Sequence, residues 1–353
     1  MNIKYDDIIK LFSVKQENNA TFKKTLQDNL NTFNLYCEKS DVSNELKIEI
    51  NHICETIKEI VSFQEKGLHY TAFQKLSYLF RGTKKHSALS KDMPYSILHT
   101  GTSLYRIRIN EEKKKLSYKE MFHIPLNKKG IIQTQRYSSP GYPCLYVGES
   151  IYGCWEEMHR YDFDLCMVSR LVNEKELKLL DLRVPNKQTF EDADEKILLR
   201  IPLIIACSIL VKNMDDVYKP EYVVSQLITE WIINNNNYPQ NKNDKIYGIR
   251  YTSSLTTEEF EFPKEKLNNI AFITLNPTSK TEFCPILSKI LRITKPTCNE
   301  YEKLKCGYGI DLGVAGYANK EAEMADNYKH SDFGNLEERL SDTHKFPLMS
   351  IID

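Results

Sequence analysis

Apolar residues recur at intervals of three and four from Ile8 to Tyr36, from Leu46 to Val61 and from Tyr70 to Phe80, which is the periodicity of amphipathic helices. Asp41 or Ser43 is placed to cap the second of these. The polar stretch Arg81 to Asp92, with a glycine, two serines and three lysines, reads as a linker. The period changes at Ser103. SLYRIRI alternates as a half-buried strand does, with Leu104, Arg106 and Arg108 on one face and Tyr105, Ile107 and Ile109 on the other. Further strands are expected at CLYV (144–147), LCMVSRL (165–171), LKLLDL (177–182), KIYGIRYTSS (245–254) and NIAFIT (269–274). Helical spacing returns from Ala193 to about Cys207, and again after Pro220 with apolar residues at 223, 224, 227, 228, 231 and 232. Beyond Thr281 one amphipathic piece, Pro285 to Ile293, precedes a polar and mostly irregular tail. The pattern therefore predicts an α+β protein: a helical N-terminal extension and linker over 1–90, a core domain with a mixed sheet over 91–280, and a C-terminal extension over 281–353.

The stretch from Gln135 to Arg160 has the densest local signals. Pro140 and Gly141 supply the fixed φ and the positive φ of a type II turn leading into the strand at Cys144. Ser150 is an N-cap for a helix whose Ile151, Trp155 and Met158 form one apolar stripe. Glu157 then shares a face with Ser150, Gly153 and Cys154, small residues that leave room for a ligand, while Glu156 is expected to face solvent.

Composition narrows the functional classes. The chain has 353 residues, 41% hydrophobic and 27% charged, enough for a large core. Forty-eight basic residues balance forty-eight acidic ones, so no global field favours nucleic acid or an anionic membrane. The EEKKK run at 111–115 carries no interleaved aromatics and reads as a solvated hairpin tip. Nine cysteines, without CxxC or a cysteine–histidine cluster at zinc spacing, predict reduced thiols in a cytoplasm and no metal. The opening MNIKYDDIIKLF has acids where a secretion signal needs bases, and the longest apolar run, Ile201 to Val211, is too short to span a bilayer. The glycines within GYGIDLGVAG (307–316) lack the lysine and preceding strand of a phosphate loop, and no Gly-rich strand-to-helix turn suggests a Rossmann cofactor site. His123, between apolar neighbours in MFHIP, is a second-rank polar candidate against the commoner alternative of a core histidine.

The ordered set of an arginine and aromatic before a Pro-Gly turn, a strand carrying a tyrosine, and a glutamate eleven residues after that tyrosine resembles the RES domain family. The resemblance covers roughly residues 101–276. That family is named for an arginine, a glutamate and a serine, and its members are NAD-consuming enzymes, often toxins paired with an antitoxin. Carried over, the catalytic set is Arg136, Tyr146, Glu157 and Ser253, and the substrate-binding candidates are Arg106, Tyr137, Ser138 and Ser254, the last as the alternative serine, with His123 added on its sequence context alone. The resemblance implies an ADP-ribosyltransferase-like split, mixed or antiparallel sheet around an NAD-sized cleft. It also implies cleavage of the nicotinamide–ribose bond, as a glycohydrolase or phosphorylase, with NAD as substrate and no resident cofactor. Transfer of ADP-ribose to a macromolecule and non-catalytic NAD binding are the alternatives. An antitoxin or regulator is an implied partner, and the N-terminal helices are expected to serve self-association or regulation.

Overall fold

The computed structural model describes residues 2–17, 20–238, 244–254, 264–275, 281–306 and 326–352. The glycine-containing stretch 307–316 lies outside them. The helices are α1 (Tyr5–Ile9), α2 (Phe22–Glu38), α3 (Asn44–Glu65), α4 (His69–Arg81), α5 (Ala88–Lys91), α6 (Ile151–Glu157), α7 (Lys187–Asp192), α8 (Ile201–Ser208), α9 (Val223–Asn236), α10 (Pro285–Ile290), α11 (Asn299–Cys306) and α12 (Asp332–Ser341). The strands are β1 (Tyr95–Leu98), β2 (Ser103–Ile109), β3 (Cys144–Gly148), β4 (Cys166–Asn173), β5 (Leu177–Leu182), β6 (Ile246–Thr252), β7 (Asn268–Ile273), β8 (Leu291–Ile293) and β9 (Met349–Ser350). The class is α+β, as the periodicity predicts.

Compactness follows a division that crosses the boundaries expected at 90 and 280. One unit comprises residues 1–96, 130–142 and 178–254; the other comprises 97–129, 143–177 and 255–353. In the first unit the N-terminal helices bury the residues their spacing selects: Leu26, Leu30 and Phe33 on α2, Ile50, Ile53, Ile57 and Ile60 on α3, and Leu76 on α4. They do not form a separate bundle. Helix α8 is apolar all round and completely buried, and it packs with α2, α3 and α9. Trp231 of α9 meets Phe80 of α4 edge-on at 4.8 Å. Strands β5 and β6 of this unit pair in parallel, with Asp181 opposite Arg250.

The second unit is built on antiparallel pairs. Strands β2 and β4 stay in register over seven pairs, from Ser103↔Val172 to Ile109↔Cys166, and β3 and β7 over five, from Cys144↔Ile273 to Gly148↔Asn269. Strands β2 and β3 pair antiparallel, with Tyr105 opposite Gly148. Tyr105 and Ile107 pack with Ile151 and Cys154 of α6 and with Leu336 and Leu340 of α12. Arg106 and Arg108 alternate away from that core, as the strand period requires.

Two expectations for the C-terminal part change. The piece from Pro285 to Ile293 is a short helix followed at once by strand β8, because Leu291–Ile293 finds a partner in β4 (Leu171↔Ile293). The tail contains α12, whose leucines at 336 and 340 are buried against α6 and β4; its polar composition hid a helix with only a narrow apolar stripe. No described helix is long and apolar enough to cross a membrane.

Candidate active site

The second unit gathers Arg106, Tyr146, Glu157 and His123. Strand β3 positions Tyr146, and α6 follows it directly. Ser150 caps α6 by accepting from the Gly153 backbone N–H at 2.9 Å. The turn before β3 is the one the sequence encodes: Tyr142 N donates to Ser139 O at 3.0 Å, with Gly141 at φ +78°. Glu157 ends α6, half-buried, and its Oε1 accepts from Asn269 Nδ2 at 2.9 Å. Asn269, 3% exposed at the start of β7, stands opposite Gly148 and is the site residue that sequence reasoning missed. Its signal was faint, since an amide opening an apolar strand is an ordinary sight.

Arg106 donates from Nη1 to the Tyr146 carbonyl on the neighbouring strand β3 at 2.6 Å. Its Nε is buried and has no hydrogen-bond partner, and no carboxylate among the described residues pairs with it. Burial, and after it the like charge of Arg108, push the Arg106 guanidinium down to about 9. Arg108 differs: its Nε is buried without a partner and burial lowers its guanidinium, but Glu120 opposes that shift and Nη2 donates to Phe122 O at 3.5 Å. The Cys154 thiol lies in the fields of both Arg106 and Glu157 and is pushed up to about 12, chiefly by burial, so it stays a neutral thiol. Of the two arginines, only Arg106 lacks a carboxylate partner among the described residues, and a guanidinium is suited to hold an anion.

Several expected site residues have other work. His123 is 1% exposed; its Nδ1 donates to Ile124 O at 2.8 Å and its Nε2 accepts from Cys284 N at 2.9 Å. Both nitrogens are committed to the backbone, and burial pushes its pKa down to about 4, so it is a neutral core histidine and not a ligand-binding group. Glu156 is 6% exposed and ion-paired with Arg160 at 2.9 Å, which corrects the expectation that it faces solvent. The chain turns at the end of α6 through His159 and Arg160, both at φ +55°, and brings Arg160 back over Glu156.

The RYSS segment belongs to the first unit. Gln135 and Ser138 exchange backbone hydrogen bonds of 2.9 and 3.1 Å, so Arg136 and Tyr137 form the tip of a tight turn. Tyr137 is 1% exposed and packs against Tyr251 at 4.9 Å, and Ser138 is fully buried; both are core positions and not exposed substrate contacts. Gln226, whose commonplace role would be an exposed surface residue, instead fastens this turn by donating to Thr134 Oγ1, Gln135 O and Ser138 O. Arg136 donates to the Cys207 and Ile209 carbonyls, closing the C-terminal end of α8, and to Ser254 Oγ at 2.9 Å. Its guanidinium also lies 5.1 Å from the centre of the Tyr222 ring. Ser253 is 2% exposed in the same unit. Among the described residues no group of three or more His, Cys, Asp or Glu is arranged to hold a metal ion.

The chain is 28% identical over 310 residues to a protein of Bacillus subtilis (strain 168) described as "Putative toxin YopC", covering 79% of this chain and 68% of that protein. No solved structure matches. The family model of the RES domain matches residues 103–289, more than half of the chain and including Arg106, Arg136, Tyr146, Glu157 and Asn269, and the protein belongs to the RES domain family.

Proposed function

We propose that this protein is a toxin-like enzyme that consumes NAD by breaking the nicotinamide–ribose bond. The observation that carries the reading is Arg106: a guanidinium on β2 next to β3, with a buried, partnerless Nε and no carboxylate among the described residues to neutralise it. Such a charge is costly until an anion arrives, and a dinucleotide pyrophosphate supplies one in the geometry a guanidinium prefers. Glu157 is a carboxylate of the same unit, held by Asn269.

One carboxylate suffices for this chemistry. Ordinary glycosidases use two, since a sugar oxygen must be protonated to leave while the second group assists the anomeric carbon. Nicotinamide in NAD is already a cationic pyridinium. The C–N bond breaks with its electron pair going to the ring nitrogen, and the base departs neutral. The positive charge that grows on the ribose is stabilised by the Glu157 anion. Attack by water then gives ADP-ribose and a proton; attack by phosphate gives the 1-phosphate ester of ADP-ribose. Tyr146 is assigned to stacking on the nicotinamide or ribose. Arg136 and Ser253 remain candidates on the family resemblance. The toxin character rests on the Bacillus relative, and an antitoxin is the corresponding partner to seek.

The test is to incubate the purified full-length protein with NAD, with and without inorganic phosphate, and to follow free nicotinamide. Release in either buffer supports the reading, and the acceptor product separates hydrolysis from phosphorolysis. A folded protein that leaves NAD intact in both, and places no labelled ADP-ribose on macromolecules, ends it.

A further inference from the structure

Helix α6 has Glu157 at one end and is held at the other by residues that lie outside the RES-matched segment. Glu337, on α12, accepts from the backbone N–H of Ile151, the first residue of α6, at 2.7 Å. That N–H is one of the donors a helix start leaves without an internal partner. Tyr328 donates its hydroxyl to the same Glu337 oxygen, and Lys266 Nζ lies 4.0 Å from the other oxygen and 4.2 Å from the Tyr328 ring centre. Burial pushes the Glu337 carboxyl pKa up, opposed by the hydrogen bonds from Tyr328 and Ile151.

The Lys266 turn closes the frame. Ser150 Oγ donates to Lys266 O, and a side chain at Gly153 would collide with that same carbonyl, so α6 sits directly against the turn. Three residues later the same segment supplies Asn269, which holds Glu157. Helix α6 is thus fixed at its first residue by Glu337 and at its last by Asn269. Between them, Tyr152 and Trp155 pack on Phe333 of α12 at 5.4 and 5.2 Å.

We infer that Glu337 is a positioning residue for Glu157: the C-terminal segment 326–341 mounts α6, and the acceptor oxygen of Glu337 sets where the helix, and with it the Glu157 carboxylate, comes to rest. This inference rests on the proposed NAD cleavage for its kinetic readout. A seven-residue helix has too few internal hydrogen bonds to hold its own position, so its attachments decide it.

Glu337→Ala removes the acceptor, and Glu337→Gln keeps an oxygen that Ile151 N–H and Tyr328 can both reach. In the full-length protein, Glu337→Ala should lower kcat for NAD cleavage roughly 10- to 100-fold, the scale of a small misplacement, with KM within about twofold of the original. Glu337→Gln should restore most of kcat. Amide exchange, followed in both variants, should speed up at Ile151 and along α6 in the alanine variant alone. An unchanged kcat in Glu337→Ala overturns the inference. So does a loss that merely tracks the folded fraction, or one that glutamine fails to rescue. If the unsubstituted protein does not cleave NAD, the functional reading falls, and the exchange measurement decides the mount by itself: faster exchange of α6 in the alanine variant upholds it and no change overturns it.

Discussion

Arg136 and Arg106 are both half-buried arginines that donate to backbone carbonyls, and they differ in what is left over. Arg136 has the Cys207 and Ile209 carbonyls, the Ser254 hydroxyl and the Tyr222 ring around it. Arg106 has one carbonyl, a buried Nε without a partner, and Arg108 as a like charge nearby. The first is a satisfied guanidinium tying a turn to the end of a helix. The second carries an electrostatic deficit that only an anion relieves. Family resemblance names both as candidate site residues; their hydrogen-bond partners separate what each does in its own unit.

The largest effect expected is at Glu157. Glu157→Gln keeps the size and the contact with Asn269 but removes the charge, so NAD turnover should fall by roughly a hundredfold or more with an unchanged melting temperature. The neighbouring Glu156→Gln should do the reverse, lowering the melting temperature through the loss of the Arg160 ion pair while leaving activity per folded molecule intact. Exchanged outcomes would mean that the helix face is misassigned.

Next come the two arginines themselves. Arg106→Met should raise KM for NAD roughly 10- to 100-fold and leave the fold as stable as before or more so, because an uncompensated buried charge is removed. Arg136→Met should cost about 1–3 kcal/mol of stability in denaturant titration, since it strands the carbonyls at the end of α8. If Arg106→Met destabilises as much as Arg136→Met, the contrast between the two collapses.

Asn269→Ala should lower kcat by about tenfold, leaving Glu157 charged but less well oriented. The smallest effect concerns His123, whose pKa is pushed down by burial foremost and then by the Arg106 charge. A histidine with a folded pKa of about 4 against an ordinary 6.5 contributes stability that is complete above 6.5 and is lost as pH falls through 6.5 towards 4. The loss should be about 1 kcal/mol by pH 5.5 and should be absent in His123→Gln, as read from urea midpoints across that range.

Much of the architecture was legible in the chain. The shift from a three-and-four spacing to strict alternation at Ser103 located β2, and the Pro140–Gly141 pair with Ser150 framed β3 and α6, because backbone conformation and burial periodicity are local properties. The alternation also placed Arg106 and Arg108 together on one face of β2, and the structure shows that the opposite face, with Tyr105 and Ile107, packs on α6. What alternation does not carry is the partner of each polar atom. His123 turned out to be a core histidine because Cys284, far along the chain, supplies its second hydrogen bond. Glu156 is buried because Arg160 folds back at a positive φ that no pattern of apolar residues announces. Asn269 beside Glu157, and Glu337 at the start of α6, are contacts over separations of 112 and 186 residues. The chain alone determined which residues alternate, cap and turn. Tertiary structure decided which buried charge has no counter-charge among the described residues, since that depends on which side chains the fold brings within hydrogen-bond reach.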